Sequence, residues 1–135
     1  MNTGEIIRKA GLKATPQRKI VYEVMTELRH SSIDEVIAKV QKLSPDVTVS
    51  TVYRILDAFC EAGLLSKIKH PYGKFYFDIN PFEHHHIFTD DKVIDYIDPE
   101  LTKMIKKHLK GDVFNHLDID AISIQIVAKK KMPPV

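Results

Sequence analysis

The sequence predicts an α+β fold built in two parts. Apolar residues recur at helical spacing as far as Gly63, and short alternating runs joined by a Pro/Gly turn follow to Phe77. Past a bend at 80–83, short strand patterns return around one further helix. By length, 135 residues make one domain, or two very small ones sharing a core.

The helices can be taken in order. In "GLKATPQRKIVYEVMTELRH", Thr15 is the expected N-cap, and Pro16 takes the first helical position, where its missing N–H costs nothing. Ile20, Val21, Val24, Met25 and Leu28 then form one apolar face. In "SSIDEVIAKVQKL", Ser32 and Glu35 make a capping box, with Ile33, Val36, Ile37 and Val40 as the buried stripe. Thr48 caps the third helix, Val52, Ile55, Leu56 and Phe59 face the core, and Gly63 is its stop.

Strand patterns at Leu64–Lys69 and Lys74–Phe77 flank the turn "HPYG". Three helices and then a hairpin is the order of a winged helix-turn-helix, whose last helix would present Ser50, Thr51, Tyr53, Arg54 and Asp57 to a DNA groove. In the second half, "HHHIF" and "KVIDY" read as a hairpin around Thr89–Asp91. "DPELTKMIKKHLKG" reads as a helix capped by Asp98, with Lys106, Lys107 and Lys110 near its C-terminal end. "LDIDAISIQIVAKKK" reads as a strand region whose apolar parity shifts between Ala121 and Ile122. The expected division is a DNA-binding domain at 1–79, a hinge at 80–83, and a small α/β dimerisation and metal-binding domain at 84–135. So small a second unit buries too little surface to stand alone, so a homodimer is expected.

Composition narrows the chemistry. The single cysteine, Cys60, excludes an intrachain disulfide and any zinc site built on cysteine pairs, and it reads as a packed thiol. No apolar run reaches membrane-span length, and the first residues lack the pattern of a signal peptide, so a cytoplasmic protein without membrane partners is expected. Residues 1–74 carry 12 Lys/Arg against 8 Asp/Glu, and 75–135 carry 8 against 10. A basic first half suits a polyanion, and an acidic, histidine-rich second half suits a cation.

"NPFEHHHIFTDDKVIDY" carries the clearest chemistry. Alternate side chains of a strand share a face, so His84 and His86 point together while His85 points away. Asp78 and Asp95 could add oxygen ligands, and His30 could close the site from the helical domain. Such a nitrogen and oxygen set suits Fe(II), Mn(II) or Zn(II). The competing readings are a polar strand end with structural histidines on a constitutive DNA-binding protein, and a small metal-dependent hydrolase. No nucleophile motif, phosphate loop or nucleotide fingerprint supports an enzyme.

"GLKATPQRKIVYEVM", "HSSIDEVIAKV", "VTVSTVYRILDAFCEAGLL" and "HHHIF…KVIDY", in this order, resemble the ferric uptake regulator family of bacterial metalloregulators. The resemblance covers roughly residues 8–128. It implies a homodimeric winged-helix repressor of AT-rich inverted-repeat operators, with a metal between the domains setting the DNA-competent arrangement. His30, Asp78, His84, His86 and Asp95 fall on the regulatory metal positions. Lys13, Arg18, Ser50, Thr51, Tyr53 and Arg54 form the expected DNA-facing set. The cysteine pairs that hold a structural zinc in many members are replaced here by "FTDDK" and "AKKK". A second metal site is a remnant at most, drawn from Glu83, His85, Glu100 and His116. Aspartate at position 95 resembles the peroxide-responsive branch.

Overall fold

The structure, a computed structural model, describes residues 1–71, 73–79, 84–90, 92–110, 115–119 and 121–131. The chain divides into two compact units, Met1–Asn80 and Pro81–Val135.

The first unit contains helices α1 (Thr3–Lys9), α2 (Pro16–Leu28), α3 (Ile33–Leu43) and α4 (Val49–Glu61), and strands β1 (His30–Ser32), β2 (Ser66–Lys69) and β3 (Phe75–Asp78). Side-chain caps start the helices. Asn2 accepts from the Glu5 amide, Thr15 from Arg18, Ser32 from Glu35 and Thr48 from Thr51. Each such cap contributes about 1 kcal/mol by meeting a donor that the helix leaves open. The apolar stripes meet in one core of Ile7, Val21, Val24, Met25, Val36, Val40, Val52, Leu56, Phe59 and Phe77, all nearly or fully buried. Tyr22 meets Phe59 edge-on, with centroids 5.9 Å apart. Gly63 ends the α4 region at φ +80°, a conformation that favours glycine.

Two elements go beyond the sequence expectation. Helix α1 adds Ile7 to the core, so among the described residues of the first unit the helices number four rather than three. Strand β1 turns the expected hairpin into a three-stranded sheet of order β1-β3-β2. Its formation depends on Arg29, which caps α2 at φ 67° and ψ −64° and reverses the chain. In the resulting register, His30 lies opposite Asp78, and Ser66 opposes Asp78 from the other side.

The second unit contains β4 (His85–Phe88), β5 (Val93–Tyr96), α5 (Pro99–His108) and β6 (Gln125–Val127). Its sheet has the order β5-β4-β6. β4 and β5 form the expected hairpin, closed where Thr89 and Lys92 bond to each other. β6 pairs with β4 in parallel, a geometry that requires a long crossover, and the chain through α5 supplies it. The expected long strand region is regular only over Gln125–Val127, the part with β4 beside it. Phe88 and Val93 are buried, whereas α5 contributes no buried residue.

Candidate metal centre and nucleic-acid face

In the β4–β5 ladder, His86 lies opposite Asp95 and His85 opposite Tyr96. The pleat therefore places His86 and Asp95 on one face, and His84, just before β4, returns to that same face. The two imidazoles meet with centroids 4.7 Å apart. His84 Nε2 lies 3.5 Å from Asp95 Oδ1, and His86 Nε2 lies 3.8 Å from the same oxygen. Both separations exceed an ordinary hydrogen bond of about 2.7–3.2 Å. They come close to the edge of a tetrahedral site, about 3.3–3.4 Å when ligands sit about 2.0–2.1 Å from the ion. Each of the three residues offers a donor atom, and these atoms lie within 4.8 Å of one another. The side chains of His84 and His86 are only 8% and 7% exposed. Two nitrogens and a carboxylate oxygen in a shielded pocket fit a divalent ion of the Fe(II), Mn(II) or Zn(II) kind.

His30 and Asp78 belong to the first unit. They are cross-strand partners on β1 and β3, one carrying an imidazole and the other a carboxylate that is only 2% exposed.

The residues considered for a second metal site fall differently. Glu83 lies outside the described residues. His85 is almost fully buried, and both its nitrogens are engaged. Nδ1 accepts the Ile124 amide at 3.0 Å, so the proton sits on Nε2, which donates to Thr102 Oγ1 at 2.7 Å. The Thr102 hydroxyl in turn donates to the Asp98 carbonyl at 3.1 Å. Glu100 and His116 are exposed, and among the described residues no ligand group gathers them with His85. In this arrangement His85 has no lone pair to give a metal.

Helix α4 carries the expected polar face. Ser50, Tyr53 and Arg54 are exposed, and the Arg54 guanidinium donates to the Ser50 carbonyl and the Thr51 hydroxyl, each at 3.4 Å. Together with the start of α2, it borders a cavity of about 390 Å³ lined by Lys13, Thr15, Gln17, Arg18, Thr51, Arg54 and Ile55. Arg18 donates to the Lys13 carbonyl at 2.9 Å, which ties its guanidinium to the backbone at Lys13. The lining holds three cations and no acid, a charge balance that suits anions. Gln17 is the lining residue that the sequence reasoning missed; its place inside the T-P-Q-R run was the available signal. Cys60 is half-buried, and burial first, then the Asp57 charge, pushes its thiol pKa up. It therefore lacks the thiolate character of a redox sensor.

Comparison with known proteins agrees with this geometry. The sequence profile of the Ferric uptake regulator family matches residues 9–125. The peroxide-responsive repressor PerR of Staphylococcus epidermidis is 28% identical over 116 residues, 82% of this chain and 77% of that protein. The ferric uptake regulator of Pseudomonas aeruginosa, solved with manganese, superposes with a TM-score of 0.81 at 27% identity, covering 98% of this chain and 100% of the other. The peroxide stress regulator of Campylobacter jejuni gives 0.72 at 26% identity, covering 98% of each.

Proposed function

This chain belongs to the ferric uptake regulator family, and from that premise we propose that it represses transcription as a homodimer whose grip on DNA depends on a bound divalent metal. The family consists of transcription regulators, which sets the hydrolase alternative aside. The observation that carries the metal dependence is the convergence of His84, His86 and Asp95 at spacings that suit ligation better than hydrogen bonding.

His84, His86 and Asp95 would hold the ion in the second unit, and His30 with Asp78 would complete its shell from the first. The ion supplies positive charge and a demand for several ligands at once. Because the donors are divided between two units, ligation favours the arrangement that lets all five act together. Moving such an equilibrium from 1:99 to 99:1 requires about 5.5 kcal/mol of differential binding. The constitutive alternative lacks this dependence.

The DNA reading rests on the polar face of α4 and on the Lys13, Arg18 and Arg54 cavity. Tyr53 and Arg54 would meet base edges and backbone in the major groove. Lys13 suits the narrow, strongly negative minor groove of an AT-rich site. Ile94, Ile97, Met104, Leu117 and Val127 are exposed apolar residues of the second unit, and a second copy is the occupant that would cover them. Two-fold symmetry then calls for an inverted-repeat operator. Asp95 and the likeness to PerR favour peroxide, acting on an iron-loaded site, as the signal.

The test is DNA binding by fluorescence anisotropy at fixed salt, with chelator and then with Fe(II), Mn(II) or Zn(II), before and after peroxide. Tight binding is expected only with metal, and peroxide should release the iron form. Equal affinity in chelator refutes the metal switch.

A further inference from the structure

We infer that His85, lying between the two metal-facing histidines, is a positioning residue that holds them in ligating order without touching the ion. The inference rests on the metal site proposed above.

Ile124 grips both sides of the His85–His86 peptide. Its amide donates to the His85 ring at Nδ1, and its carbonyl accepts the His86 amide at 3.0 Å. Thr102 of α5 takes the other ring nitrogen at 2.7 Å. A ring bonded at both nitrogens has no freedom in either side-chain torsion. On a strand, fixing that ring fixes the pleat, and with it the direction of the residues on either side. The three bonds draw on two parts of the chain distant from β4: Thr102, in the first turn of α5, and Ile124, the residue before β6. On this side of the strand, His85 works as a neutral hydrogen-bonded bridge; on the other, His84 and His86 present their Nε2 atoms to Asp95.

Groups that orient metal ligands typically change metal affinity by about 10–100-fold when removed. Thr102 is the cleaner handle, since it is half-buried, lies on a helix and would touch no metal.

The experiment titrates the metal-free chain with Co(II), following affinity, metal-to-protein ratio and the visible ligand-field band. T102V should keep the wild-type ratio, lose about 10-fold in affinity and show a shifted band, and T102S should restore both. H85Q preserves the bond to Thr102 and gives up the one to Ile124, so it should fall between wild type and H85A at unchanged ratio. If T102V matches wild type in affinity and band, the inference is overturned. It is equally overturned if H85Q loses a whole metal equivalent, because His85 would then be a ligand. A wild-type chain that takes up no cobalt overturns the metal reading together with this one, whereas an unaltered T102V beside a cobalt-binding wild type overturns this one alone.

Discussion

The carbonyl of Arg29 accepts the amide of Ile79 at 3.0 Å, and the residues on either side of that bond are His30 and Asp78. Arg29 is the one described non-glycine residue with positive φ, and its angles of 67° and −64° are those of the rare, strained γ-turn. The turn carries the chain from α2 into β1 in the register that faces His30 with Asp78.

Strain of this kind typically costs about 1–3 kcal/mol. Arg29→Gly should therefore raise stability by roughly 1 kcal/mol, the relief being partly offset by about 0.4–1 kcal/mol of added unfolded-chain entropy. Arg29→Ala keeps the strain and should stay within about 0.5 kcal/mol of wild type. Urea denaturation of the metal-free chain measures both, and an Ala variant as stable as the Gly variant would remove strain as the cause.

His86→Ala and Asp95→Ala should each weaken metal binding by more than about 100-fold, beyond what loss of an orienting group produces. Far-UV circular dichroism should be unchanged, because the β4–β5 ladder that carries both residues is a pairing of backbones, which the substitutions leave in place. DNA binding by these variants should no longer respond to metal. A metal response that survives in both variants would place the ion elsewhere.

Lys13→Ala and Arg54→Ala should separate in salt dependence. Loss of one phosphate contact lowers the slope of log affinity against log salt by about 0.9, and this is expected for Lys13→Ala on operator and random DNA alike. Arg54→Ala should cost about 1–3 kcal/mol on the operator, with little change on random DNA. Equal losses on both DNAs would make Arg54 a backbone contact.

The fourth prediction concerns pH. The Tyr96 hydroxyl donates to Asp98 Oδ2 at 2.7 Å and the Leu101 amide to Oδ1 at 3.0 Å. First the Tyr96 bond and then the Leu101 amide hold the Asp98 carboxyl below its ordinary value of 3.8. A carboxyl depressed in the folded state adds stability above its unfolded pKa and loses it as pH falls through the folded one. The same bond, as first cause, raises Tyr96 above 10.0, so the tyrosine's share is present below that value and lost as pH rises through its folded pKa. The stability difference between wild type and Tyr96→Phe should therefore be flat from about pH 5 to pH 9 and shrink on either side. A difference that grows below about pH 4 would contradict the assignment.

What the sequence revealed was local. Thr15, Ser32, Thr48 and Asp98 were legible as caps because capping needs only a side-chain oxygen and an amide three residues on. The facing of His84 and His86 was legible because strand alternation is a local rule. Helix α1 escaped because its seven residues carry only Ile6 and Ile7 as apolar signal. Strand β1 escaped because three residues become a strand only when a distant partner, β3, lies beside them. The engagement of His85 was hidden for the same reason, since its partners lie 17 and 39 residues away in the chain.

The parallel pairing of β4 with β6 also sets the order in which this molecule is made. The last strand of the first unit, β3, ends at Asp78, so every element of that unit has been made while synthesis continues, and it is able to fold then. The second cannot close its sheet until Gln125–Val127 have left the ribosome, after α5 has already emerged. Ile124, which anchors the peptide between His85 and His86, arrives just ahead of that strand. A nascent chain is therefore able to carry a folded winged helix before its histidine pocket is set. Ribosome-arrested chains released before and after residue 124 would mark the step at which the pocket becomes able to take up an ion.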